Sequence, residues 1–329
     1  MCHCRGRPMT TGRPKALAHW ISWIFGLALL ASVVMFAIHY RQERALAQLL
    51  HRARPAWLLV ALLLQTGTYT TDARIWQRVL SRANISRPLR SYVGLGLAKL
   101  FMDQAIPSVG LSGTLLVIRA LDRRAVPRGA SMAAVVVDLV SYYAAYVLAL
   151  GLALGIVWAY GDLTPLMALP AGIFAPLATA VPIALLWVSR GRRLPGWLER
   201  LPFIKPALRA FAEATPAIAH DVSLIAQCMG LQLAIVALDA GTLWIMLLAL
   251  GLEVNPAPVF ASFMLSTLAR TLGVVPGGLG VFEAVSVATL KLIGVPFTAG
   301  LAATLLFRFF TFWLPMAPGL ILARREAKA

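Results

Sequence analysis

Val275-Pro276-Gly277-Gly278-Leu279-Gly280-Val281-Phe282-Glu283 interrupts a long apolar run near the C-terminus. A Pro and three Gly within five residues break a helix. In lipid, a broken helix leaves backbone N–H and C=O groups without partners, so the break persists only where protein or a polar cavity lines it. The carboxylate of Glu283 follows the break directly. The stretch predicts a polar site held at membrane depth, and it points to binding or moving something rather than to soluble chemistry.

Composition extends this reading outward. The 329 residues are 60% hydrophobic and 13% charged. Repeated apolar runs of about 20 residues predict an all-α polytopic membrane protein. Thirty Lys and Arg stand against 13 Asp and Glu, a formal charge of +17. These cations fall between the spans, as membrane orientation requires, so no nucleic-acid partner is expected. The three Cys are Cys2, Cys4 and Cys228. Cys2-His3-Cys4 has no second pair to complete a metal site. The first apolar run lacks a small-residue cleavage site and reads as a retained span.

The expected organisation follows the apolar runs. Residues 1–19 form a basic cytosolic tail, and 20–55 hold the first transmembrane helix (Trp20 to Ile38) with an external loop. Residues 56–160 contain a helix, a broken segment from Ser91 to Leu121, and a helix from Ser131 to Tyr160. Residues 161–221 hold a linking helix, Leu166 to Val188, and a basic cytosolic loop. Residues 222–329 repeat the pattern: a helix to Leu250, a broken segment from Pro258 to Ile293, a helix from Thr298 to Ala323, and a basic tail.

Charge places the loops. Arg74 to Arg90 precede the first broken segment, and Arg119 to Arg128 follow it. Both flanks are therefore expected in the cytoplasm, and the segment dips in and returns. The loops flanking the second broken segment carry no Lys or Arg, so it should dip from outside. Both termini should be cytoplasmic. The loop with Arg41, Arg44, Arg52 and Arg54 disagrees with this map. At an offset of 169, Pro107 aligns with Pro276, Val126-Pro127 with Val295-Pro296, and Ala133-Ala134 with Ala302-Ala303. An odd number of crossings separates the copies. The expectation is about six full transmembrane helices plus two re-entrant hairpins in an inverted-topology repeat, with a substrate site between the copies.

Ionisable groups within a bilayer cost roughly 2.5–3.5 kcal/mol each, so those present invite a functional reading. The map places Lys99, Asp103, Asp138, Asp239, Arg270, Glu283 and Arg308 at or near membrane depth. They either line a polar cavity, the reading favoured for Glu283 and Arg308, or pin helices together as ion pairs, such as Glu283 with Arg308. A half-helix from Val281 would aim its first amides and positive dipole end inward, a receptor for phosphate or carboxylate. The alternative is that Glu283 caps those amides. Ile106 to Gly113 is the corresponding break, with Ser108, Ser112 and Thr114 as hydroxyl donors. The candidate headgroup-binding residues are Glu283, Arg308, Pro276, Gly277, Gly278, Gly280, Asp138, Asp103, Arg270, Pro107 and Ser108. No catalytic residue, metal ligand or cofactor is expected: the five His fall outside the spans, and no nucleophile–base pair is evident.

Pro276 to Glu283, with Gly294-Val295-Pro296, Ala302-Ala303 and Arg308 to Pro315, resembles the membrane domain of lysylphosphatidylglycerol synthases and the wider flippase-like integral membrane family. Gln104-Ala105-Ile106-Pro107 with Gly110 and Gly113 is similar too. In such synthases the membrane domain translocates a lipid made by a cytosolic aminoacyl-transferase domain. No such domain is expected after the last span here. The resemblance implies a cell-membrane lipid flippase. The sequence has no Gly-x-x-x-x-Gly-Lys-Ser/Thr motif, so transport without ATP hydrolysis is expected. The alternatives are an accessory subunit that presents lipid to a lipid-modifying or glycosyl-transferring partner enzyme, and, less favoured, an enzyme acting on a headgroup. The sequence leaves the lipid and the oligomeric state open.

Overall fold

The computed structural model describes residues 53–106, 111–160, 165–192, 211–272 and 275–328. The first expected span lies outside the described residues, as do Pro107 and Ser108. The described chain is helical: α1 (Pro55–Ser81), α2 (Leu89–Ala105), α3 (Leu111–Arg123), α4 (Arg128–Ala159), α5 (Pro165–Ser189), α6 (Pro216–Ala219), α7 (Val222–Ala249), α8 (Pro256–Leu272), a 3-10 turn (Pro276–Gly278), α9 (Val281–Leu292), α10 (Phe297–Arg308), a π turn (Phe309–Trp313) and α11 (Leu314–Lys328). Among the described residues, three helices are long and apolar enough to cross a membrane: Arg128–Ala159, Val222–Ala249 and the continuous Phe297–Glu326. The chain is a membrane protein of helices. α1 has 27 residues, but Asp72, Arg74 and Arg78 charge its second half. α5 runs unbroken past Pro170, Pro176 and Pro182. Within it Thr179 donates its hydroxyl to the carbonyls of Ala175 and Pro176, one way such helices re-satisfy freed backbone groups.

Both broken segments are broken as expected, each into two helices. The element order also occurs twice. From Pro55 to Val222 and from Leu89 to Pro256 the helix starts step by 167 residues; from Arg128 to Phe297 they step by 169. The sequence alone suggested 169 throughout. The second break, which holds the 3-10 turn, is three residues longer than the first and α9 is one residue shorter than α3, a net gain of two. The turns between helices recur with the helices. Asn84 and Gly251 both have positive φ, and the amides just beyond them close onto Leu80 and Leu247. Ala125 and Gly294 do the same ahead of the two Val-Pro pairs, closing onto Leu121 and Leu290. These are helix stops in which a left-handed residue lets the following amide reach back five residues.

Packing repeats in step. α1 packs on α2 as α7 does on α8, α2 on α3 as α8 on α9, and α2 on α11 as α8 on α4. α1 and α7 meet in the most extensive helix pair and run antiparallel. Gln65 meets Asp239 and Thr242, Gly67 meets Leu238, and Arg78 bonds Gln227. One apolar cluster gathers Trp76, Tyr92, Leu121, Met132 and Leu224; the other gathers Tyr146, Met246, Phe263, Phe282 and Phe307.

The arginine-rich end is tied by ion pairs. Arg82 reaches Asp221 at 3.0 Å and Arg128 reaches Glu213 at 2.9 Å, while Arg124 pairs with Glu326. The Thr215 amide donates to the Gly129 carbonyl at 3.0 Å, so the end of the basic loop docks on the start of α4. His220 lies there, 3.1 Å from Ser189 Oγ; burial, then the charge of Arg190, lowers its pKa.

α11 lies antiparallel on α2. Leu322 faces Gly94, and a Cβ on Gly319 would stand 2.8 Å from both the Leu97 carbonyl oxygen and Phe101 Cβ. Gly319→Leu should therefore force the pair apart and cost about 1–3 kcal/mol, the usual range for overpacking. A lowered midpoint in detergent thermal unfolding checks this, with Gly151→Leu, where nothing stands within 4 Å, as the control expected to be silent.

Candidate functional site

The break after α8 is built on left-handed backbone. Gly277 and Gly278 have φ of 59° and 63°. Side chains occupy the space their Cβ atoms would need: Phe312 at 2.2 Å from the first, the Arg270 stem at 1.9 Å from the second. Only glycine satisfies both the torsion and the contact at either position. Pro276 opens this turn, and Gly280 (φ 79°) precedes α9.

Arg308 closes the turn. Its Nε donates to Glu283 Oε1 at 2.8 Å, and its Nη2 donates to the Gly277 carbonyl at 2.8 Å. The other Glu283 oxygen accepts from the Gly280 amide at 2.7 Å. Glu283 thus caps α9, and an amide that would have been offered to an outside anion is already filled. Both side chains are almost fully enclosed, 1% and 4% exposed. The guanidinium lies 4.4 Å from the Phe312 ring centroid and 5.4 Å from that of Phe282. Phe312 belongs to the π turn that starts just after Arg308. Such turns re-aim side chains within a helix, and here the turn brings Phe312 over both the guanidinium and Gly277.

A second cluster joins α2, α4 and α7. Lys99 Nζ lies 2.9 Å from Asp138 Oδ2, and Asp138 Oδ1 accepts from Gln232 Nε2 at 3.1 Å. Lys99 also stands 5.3 Å from the Trp76 ring centroid. It therefore turns into the protein instead of reaching for the surface. Asp72 and Asp103 complete its electrostatic surroundings. Asp103 accepts from the Gly113 amide at 2.8 Å and from the Ser112 hydroxyl at 3.4 Å, bridging the two halves of the first broken segment. A third group centres on Asp239, whose Oδ1 accepts from Gln65 at 3.0 Å and Thr68 at 3.2 Å.

Arg270 stands apart. It ends α8, 167 residues after Asp103, so the two repeats carry opposite charges at matching places, each against a glycine of its own break. Among the described residues no ion pair or hydrogen bond reaches its guanidinium. The charge of Asp239 acts on it from beyond salt-bridge distance.

The structure brings Glu283, Arg308, Gly277 and Gly280 into one constellation, with Gly278 and Arg270 at its edge. Asp138 and Asp103 belong to the Lys99 cluster. The 3-10 turn packs against α2, so the two broken segments do meet. Pro107 and Ser108 lie outside the described residues. The sequence reading left Asp72 out of the site: the second span reads as apolar from about Ala56 to Thr71 with an amphipathic continuation to Leu80, and Asp72 falls in that continuation. The available signal was a recurrence: Gln65 and Asp72 reappear 167 residues on as Gln232 and Asp239. A cleft between α4, α8 and α9 is apolar, lined by Ile156, Pro258, Leu265 and Leu292 among others, and none of these ionisable groups borders it.

The family model described as the lysylphosphatidylglycerol synthase TM region matches residues 23–319, and the chain belongs to that family. No curated protein matches it.

The geometry makes Arg308 a clasp. Removing one partner strands a buried charge, which costs about 3–5 kcal/mol. Arg308→Ala and Glu283→Gln should both sharply lower the thermal midpoint in detergent. Arg308→Lys should recover only part of it, since one ammonium does not reproduce the fork that spans Glu283 and Gly277. Midpoints unchanged in all three variants would show that the pair does not hold the turn.

Proposed function

We propose that this member of the lysylphosphatidylglycerol synthase TM region family moves a polar-headed phospho- or amino-lipid between the leaflets of the cell membrane. It does so without ATP hydrolysis and makes or breaks no covalent bond. The family is a membrane region distinct from the aminoacyl-transferase domain, and that supports a non-enzymatic role. The recurring helix starts, turns and packing partners, with α1 antiparallel to its counterpart α7, support an inverted repeat. In that arrangement the two broken segments are re-entrant hairpins entering from opposite faces, six helices cross, and both termini are cytoplasmic. The headgroup passes the two breaks while the acyl chains stay in lipid.

The single observation that carries the site is Arg270. A guanidinium at membrane depth is costly unless neutralised. Arg308 is neutralised by Glu283, and Lys99 by Asp138. Arg270 has no such partner among the described residues, lies against the glycine turn, and faces Tyr142 and Asp239 at longer range. It is the cation left for the lipid's anionic group. Asp239, already holding two donors, stays close enough to favour an ammonium on the same headgroup.

The test is reconstitution of the purified protein in vesicles with a fluorescent phospholipid. Arg270→Gln should slow transfer about 10- to 100-fold, the worth of one or two lost charged hydrogen bonds, at an unchanged thermal midpoint. Transfer at the unaltered rate would remove Arg270 from the site. If the unaltered protein moves no lipid alone but does so, or supports modification, with a partner enzyme added, it is an accessory subunit that presents lipid.

A further inference from the structure

The seam between α1 and α7 carries the same two residues twice. Gln65 and Asp72 lie seven residues apart on α1; Gln232 and Asp239 lie seven apart on α7. Seven residues are nearly two helical turns, so each Gln and Asp share a face. The helices run antiparallel, and the contact of Gln65 with Asp239 sets their register. Counting seven residues back along α7 and seven forward along α1 puts Asp72 opposite Gln232. The seam therefore has two equivalent levels, each offering one amide to one carboxylate.

The levels are not in the same state. At the first, Gln65 Nε2 donates to Asp239 Oδ1 at 3.0 Å and lies 3.0 Å from Thr242 Oγ1. At the second, Gln232 has turned aside and donates to Asp138 Oδ1 at 3.1 Å. The Asp72 carboxylate accepts no hydrogen bond among the described residues. It rests instead against α2, where a Cβ on Gly96 would stand 2.6 Å from its Oδ2. One turn further along α2, Lys99 holds Asp138.

We propose that Gln65–Asp239 and Gln232–Asp72 form an alternating clasp, and that this structure shows the first closed and the second open. Closing the second requires Gln232 to leave Asp138 for Asp72, with Lys99 within electrostatic reach of both carboxylates throughout. Gln232 exchanges one hydrogen bond for another, and Gln65 in turn gives up its bonds to Asp239 and Thr242. Each level has the same Gln–Asp pair, so the packed seam has two discrete arrangements, in which one pair or the other is closed. The link from clasp to lipid access rests on the transport reading above: closing one level while opening the other would expose the breaks to one leaflet at a time.

Distances across both ends of the seam test this in the full chain, with Cys2, Cys4 and Cys228 replaced by Ser. Spin labels go on exposed positions outside the clasp: Ser81 with Val222 at one end, Ala56 with Glu253 at the other. Gln65→Leu removes the closed level. Gln65→Glu keeps the shape but sets a carboxylate against Asp239. In both, the 56–253 distance should lengthen and the 81–222 distance shorten, each by about 5 Å, one helical turn. Adding Gln232→Leu should return the 81–222 distance toward its starting value. Distances that stay unchanged in Gln65→Leu and Gln65→Glu, or that both lengthen, overturn the clasp. The readout needs no lipid cargo, so opposed shifts in a protein that moves no lipid would keep the clasp and discard the transport reading.

Discussion

A helix broken inside an apolar bundle must satisfy the backbone it exposes, and the Arg308 guanidinium does much of this here. One fork reaches the Glu283 carboxylate and the Gly277 carbonyl together, and Glu283 in turn caps the first amide ahead of α9. The arrangement works because three constraints coincide. Glycine provides the left-handed turn, the π turn carries Phe312 over the guanidinium, and Glu283 stands in the first turn of the helix that follows. The clasp accounts for two of the most buried charges without calling on a ligand.

That closure changes what the remaining charges mean. Arg308 and Lys99 are each paired to a carboxylate, whereas Arg270, half-buried beside the turn, has no ion pair among the described residues. Its counterpart in the first copy is Asp103, which bridges its own break through the Gly113 amide. The copies share a backbone plan, yet one break is closed by a carboxylate and the other by an arginine–glutamate pair. The same departure from symmetry appears along α1 and α7, where matching Gln–Asp levels hold different partners. The element order and packing recur, and the two halves differ in which side chains close them.

Much of the fold is legible along the chain because membrane helices are written locally. A span must be a continuous apolar run, a break must carry Pro or Gly, and a loop must carry polar or basic residues. The fifth expected span, Val222 to Leu250, ends within one residue of α7. The two Val-Pro pairs mark matching helix starts for the same reason, since Pro suits the entry to a helix and its predecessor cannot be helical. The change of spacing from 167 to 169 was not legible. A net gain of two residues across a break and the helix after it leaves no hydropathy trace.

The sequence by itself determined a polytopic helical membrane protein and the break at Pro276 to Gly280, and it offered the Glu283–Arg308 ion pair as one of two readings beside a headgroup-binding role. The tertiary structure decided which charges are spent and which are left. Lys99 meets Asp138 across 39 residues, Gln232 meets Asp138 across 94, and Gln65 meets Asp239 across 174. Such pairings depend on helix rotation and register, and several carboxylates at similar depth satisfy the composition equally well. Asp72 shows the limit most plainly. Its place just past an apolar run gives no sign of a partner, and only the packing of α2 on α1 sets the carboxylate against Gly96 and near Lys99.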